Sequence, residues 1–94
     1  MLNVEALEID DHILAKIEAK HSVTFEEVEE AIGCDRPHVR RGREGLYQWF
    51  GRTDAGRPLF IVLAGKGAGV WRIVTAREMT ERERRLYEEH GGAL

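Results

Sequence analysis

Arginine is the side chain with which this sequence is best equipped to do chemistry. Residues 36–94 hold eleven arginines, and Arg52, Arg57, Arg72 and Arg77 fall inside or at the ends of segments that read as strands. A guanidinium fixed by a packed strand presents a planar fork of N–H donors, the geometry that grips a phosphate or carboxylate through two oxygens at once. The alternative is that these arginines pair with the chain's seventeen Asp and Glu residues as a structural ion network. His21 could act as a general base, since a free imidazole titrates near neutrality, or could simply face the free carbonyls at a helix end. Lys20 beside it adds a positive charge. Tyr87 could transfer a proton or pack as an amphipathic residue. Trp71, Trp49 and Tyr47 could stack nucleic-acid bases, although aromatic residues in strands more often belong to the core.

Other chemistries find little support. The histidines (His12, His21, His38, His90) are scattered, and none has a Cys or His partner at metal-ligand spacing. No G-x-S-x-G is present, and Cys34 has no adjacent base, so common nucleophilic hydrolases are disfavoured. Neither a metal nor a cofactor is called for. Gly65-Lys66-Gly67-Ala68-Gly69 lacks the Lys-Ser/Thr pair and the following helix of a phosphate loop, and reads as a flexible hairpin connection.

The elements that would position the arginines follow from pattern. Val70 to Ala76 reads as a buried strand. It leads through a short turn into a basic helix from about Thr80 to His90, where Thr80 and Glu83 have capping-box spacing. Arg72 and Arg77 differ in parity, so on a regular strand they face opposite ways. They share a face only if a bulge or the strand's end intervenes near Ala76. Leu59 to Ala64 is apolar on both faces, as a central strand is. Leu46 to Thr53 reads as its neighbour, joined by an Asp54-Ala55-Gly56 hairpin loop, and His38 to Arg41 as a charged edge strand. In such a meander Arg52, Arg57 and Arg77 fall at one end, with Arg72 further along. Upstream lie two helices. The first starts at Asp10 or Asp11, with Ile13, Leu14 and Ile17 on one face. The second is opened by a Thr24–Glu27 capping box and closed by Gly33. The expected fold is α+β in one domain over 1–94: two helices, a three- or four-stranded antiparallel sheet, and a C-terminal helix.

Charge is divided along the chain. Residues 1–35 carry ten acids and two lysines, a net −8, while residues 36–94 carry twelve Lys/Arg and seven Asp/Glu, a net +5. This suggests a polar molecule with one anion-attracting side, or two halves suited to an isologous homodimer. No apolar run approaches a membrane span and no signal peptide is visible, which with the single cysteine points to the cytosol.

Four stretches resemble the BrnT family, small RelE-like ribonuclease toxins of a bacterial type II toxin–antitoxin system. Lys20-His21-Ser22-Val23-Thr24-Phe25-Glu26-Glu27 is similar to the family's K-H-G-V-[ST]-F-E-E, with Ser22 at the usual Gly. Gly51-Arg52-Thr53 through Gly56-Arg57-Pro58-Leu59 is similar to G-x-T-x-x-G-R-x-L. Arg72-Ile73-Val74-Thr75-Ala76-Arg77 is similar to R-I-I-S-A-R. Glu81 to Glu88 is similar to the E-R-x-x-Y-E ending. The family's opening W-D-x-x-K-x-x-x-N keeps only its acid here, at Asp10. The resemblance implies metal-independent RNA cleavage, in which a ribose 2′-hydroxyl attacks the adjacent phosphate. By motif position it implies Arg77, Arg72 and Arg57 as phosphate and transition-state stabilisers. His21 or Tyr87 would be the proton-transfer group, with Lys20 assisting; Arg52, from the strand-end cluster, and Trp71, from base stacking, join Lys20 as candidate substrate contacts. It also implies a BrnA-type antitoxin as partner. The competing expectation is a diverged, non-catalytic BrnT-like interaction module that docks a partner or a second copy of itself.

Overall fold

The computed structural model describes residues 4–90. The elements in order are β1 (Ala6–Glu8), α1 (Asp11–His21), α2 (Phe25–Ile32), β2 (His38–Arg41), β3 (Leu46–Arg52), β4 (Pro58–Gly67), β5 (Val70–Glu78) and α3 (Glu81–Glu89). They form one five-stranded sheet in the order β1-β5-β4-β3-β2. β2 to β5 make the antiparallel meander expected from sequence, and β1 lies parallel to β5, pairing Ala6 to Glu8 with Val70 to Arg72. The expected sheet of three or four antiparallel strands is therefore corrected to a mixed sheet of five. β1 escapes a sequence reading because three residues with only Leu7 turned inward show too little alternation to register.

Two layers of helix enclose the sheet unequally. α1 and α2 cover one face with the main core, where Ile17, Val23, Val28, Leu59, Ile61, Leu63 and Ile73 are essentially fully buried. The approach of α2 to the sheet is set by Gly51 of β3. A Cβ there would lie 2.3 Å from the Ala31 carbonyl oxygen, and the same oxygen accepts a 3.2 Å hydrogen bond from the Trp49 indole N–H. α3 crosses the opposite face over a smaller cluster of Phe50, Phe60, Met79 and Tyr87.

Local chemistry sets the helix ends. Both expected capping boxes form: the Glu27 and Glu83 N–H groups donate to Thr24 and Thr80, and the returning carboxylates accept from the Thr24 and Thr80 N–H groups. Asp10 occupies the N-cap position of α1 without a side-chain cap bond. α1 ends at Ser22, whose φ of 53° and ψ of 40° are left-handed, the conformation that favours glycine. The glycine-rich connection is more ordered than a flexible linker: β4 continues to Gly67 and the chain reverses through Ala68-Gly69.

Candidate functional site

Strand parity divides the sequence-predicted residues between the two faces. β4 runs straight through the middle, with Leu59, Ile61 and Leu63 facing α1 and α2, and Phe60, Val62 and Ala64 facing the other way. Between Val62/Leu63 and their β5 partners the register shifts, because Val62 opposes Thr75 and Leu63 opposes Ile73. Val74 is the extra residue of this bulge and is exposed. The insertion changes parity, so Arg77 (opposite Phe60) and Arg72 (opposite Ala64) share the face that α3 crosses. The sequence alone suggests the necessary break near Ala76; the structure places it at Val74.

The same face takes Arg40 of β2, opposite Gln48, and Arg52 of β3, opposite Pro58. Arg40 and Arg72 are exposed. Arg82 on α3 joins Arg40, Gln48, Phe50, Phe60 and Leu86 around a groove of about 400 Å³ between helix and sheet. Beyond the helix Val62 and Thr75 are half-buried and Val74 is exposed. Arg77 is the best-anchored cation here. Its guanidinium lies 4.4 Å above the Phe60 ring and donates twice to Glu83, at 2.7 and 2.9 Å. That pair draws the Glu83 carboxyl below its ordinary range and raises Arg77 further, while Glu83 also caps α3. The arginine and the helix start are thus positioned by one carboxylate.

The remaining predicted residues lie elsewhere. Arg57 is on the opposite face and spends its fork on protein acceptors. It donates to the His21 and Ser22 carbonyls at 3.0 and 2.7 Å, to both Glu27 oxygens, and to Glu78 at 2.8 Å. The expected cluster of Arg52, Arg57 and Arg77 is therefore split by the sheet. His21 and Lys20 end α1 on the helical side with Arg57, and the His21 backbone carbonyl is part of that junction. Trp71 is buried on that side too, edge-on to Tyr47 at 5.2 Å. Of the three aromatics weighed for base stacking, Tyr47 alone is half-exposed. Tyr87 is on the α3 side but buried, and its hydroxyl lacks a hydrogen-bond partner of good geometry. Burial, then the neighbouring Cys34 thiol, push its pKa up to about 12.

Two histidines to which the sequence assigns no role belong to the arginine face. His38 and His90 stack with ring centroids 4.0 Å apart and planes 11° apart, and His38 also rests 5.6 Å from the Phe50 ring. Burial first, then the charges of His90 and Arg40, lower the His38 pKa. The two histidines lie far apart in the chain with no shared motif, so only the pairing of β2 with β3 and the docking of α3 reveal them. Among the described residues no three His, Cys, Asp or Glu side chains gather as a metal site, and no helix is long and apolar enough to cross a membrane.

On the other face, α1 and α2 leave the β2 edge uncovered. A groove of about 740 Å³ there is walled by Ile32, Val39, Tyr47 and Trp49, with Arg36 and Arg41 at its lining.

No family model and no curated protein matches the sequence. Among solved structures, the 1.1 Å crystal structure of the Brucella abortus ribonuclease toxin BrnT superposes with a TM-score of 0.68 at 13% identity, covering 81% of this chain and 97% of that one. The fold is BrnT-like. At that identity the match speaks for the architecture alone.

Proposed function

We propose that this protein is a metal-independent ribonuclease whose substrate lies on the open sheet face beside α3, and that it acts as the toxin of a type II toxin–antitoxin pair. The observation that carries the reading is the β5 bulge at Val74, which puts Arg72 and Arg77 on the same sheet face as Arg40, with Arg72 and Arg40 exposed. Arginines on a rigid strand suit phosphate recognition and can stabilise the extra negative charge of a phosphorane. Arg72, Arg40 and Arg82 take phosphates along this face, and Arg77, held by Glu83 and Phe60, adds its charge at the start of α3. Arg52, on the same face, lies towards the β3–β4 hairpin end, where Gly56, Arg84 and Tyr87 adjoin it. Arg57 and the His21 carbonyl build the α1–α2–β5 junction on the opposite face, where Lys20 lies exposed near the end of α1. The BrnT-like architecture supports the toxin assignment, and a BrnA-like antitoxin is its proposed partner.

The test is induction in a bacterial host beside Arg77→Ala, followed by RNA extraction. Growth arrest with RNA breakdown for the parent but not the variant is expected, the variant being checked for a folded circular-dichroism spectrum. Normal growth with abundant soluble parent protein contradicts the reading. A second reading, a non-catalytic module, draws on the apolar groove beside the β2 edge, which could seat a partner or a second copy. Copurification without RNA cleavage would favour it.

A further inference from the structure

A metal-free attack by a 2′-hydroxyl needs a base for that hydroxyl and an acid for the departing 5′-oxygen. Neither group named from sequence can reach the arginine face in a useful state. His21 is on the far side of the sheet, and Tyr87 is buried with a phenol that stays protonated at neutral pH. The face does carry imidazoles, because His38 shares with Arg40 one side of β2 and its partner His90 closes the end of α3.

We infer that the stacked His38–His90 pair is the proton-transfer pair of this site, cutting RNA to a 2′,3′-cyclic phosphate and a 5′-hydroxyl. The inference rests on the ribonuclease reading above. Neutral His38 takes the proton as the 2′-oxygen forms its bond to phosphorus. Protonated His90 gives its proton to the 5′-oxygen as the phosphorus–oxygen bond to it breaks. No oxidant, metal or further reactant is consumed, and the two rings exchange protons with water afterwards.

The geometry suits the roles. Parallel rings 4.0 Å apart set two imidazoles side by side, a separation comparable with the span between the two apical oxygens of a phosphorane. Two imidazolium ions so close repel, so the pair prefers one charge shared between two rings, the mixed state that acid–base catalysis requires. The neighbours assign which ring is neutral. Phe50 of β3 packs against His38 on one side, and the charges that reach it are His90 from α3 and Arg40 from its own strand. All of these disfavour a proton on His38. His90 is exposed to solvent at the end of α3.

The experiment compares the full chain with His38→Gln and His90→Gln on an oligoribonucleotide and on total RNA with ribosomes, each variant first shown to melt as the parent does. A second substrate carries sulfur in place of the scissile 5′-oxygen, a leaving group that needs no acid. Each variant is expected to lose about 10²–10⁴-fold in kcat/KM, and the parent's pH profile to be bell-shaped, with the acid-side limb lost in His38→Gln. The sulfur substrate is expected to rescue His90→Gln but not His38→Gln. A cleaving parent whose variants stay within threefold overturns the pair and leaves the ribonuclease reading standing, as does rescue of both variants or of neither. A parent that cuts no RNA under any of these conditions overturns both.

Discussion

Removing Arg57 should unfasten the junction of α1, α2 and β5 without touching the arginine face. The side chain meets four partners: the His21 and Ser22 carbonyls that end α1, the Glu27 carboxylate that opens α2, and Glu78 on β5. A hydrogen bond from a charged donor is worth about 1.5–3 kcal/mol where water is excluded. Here Arg57 and Glu27 are only about three-quarters shielded, so that figure falls by roughly half for each carbonyl and for Glu27. Glu78 is 52% exposed and adds well under 1 kcal/mol. Arg57→Ala should therefore cost about 2–4 kcal/mol, a large part of the roughly 5–14 kcal/mol expected for a domain of this length. In urea, with a slope near 1 kcal/mol per molar, the unfolding midpoint should fall by about 2 M or more. Arg57→Lys keeps the charge but not the fork, and should recover less than half of the loss while leaving RNA cleavage near the parent level. A loss below about 0.5 kcal/mol in Arg57→Ala would refute the structural role and return Arg57 to the candidate substrate contacts.

Three further outcomes follow from other parts of the fold. Ser22→Gly relieves a left-handed residue whose backbone bonds are unchanged, and should raise stability by about 0.5–1 kcal/mol in the same urea titration. Gly51→Ala forces a methyl to within 2.3 Å of the Ala31 carbonyl oxygen and should cost about 1–3 kcal/mol or more, read as a drop in melting temperature. Glu27 and Glu83 have carboxyls held below their ordinary range. The Thr24 backbone bond is the largest cause for Glu27 and the Arg77 bond for Glu83. A depressed folded pKa gives stability that is present above the unfolded value of about 4.5 and is lost as pH falls through the folded one. The melting temperature should thus hold steady down to about pH 5 and decline below about 4.5, more shallowly in Glu83→Gln.

The arrangement is legible in the sequence wherever one local rule decides. The Thr24–Glu27 and Thr80–Glu83 spacings name both capping boxes, and the apolar run from Leu59 names the central strand, all as found. The site is harder to read because it depends on parity across strands. A single extra residue at Val74 moves Arg72 to the other face, and nothing in the β-branched run Ile73-Val74-Thr75 marks such an insertion in advance. The same ambiguity groups Arg57 with Arg77, although the sheet lies between them. His38 and His90 are invisible for a different reason, since contact between an edge strand and the end of the last helix is purely tertiary.

If the sheet face shaped by the β5 bulge binds and cleaves RNA, cleavage by the purified chain beside Arg40→Ala/Arg72→Ala shows it. Both arginines are exposed, and neither forms an ion pair among the described residues, so their loss should spare the fold. Cleavage by the parent is expected, weakening as salt rises, with at least a tenfold fall in kcat/KM in the double variant at unchanged melting temperature. Equal cleavage by parent and double variant, or none by either with free RNA and with ribosomes, would contradict it.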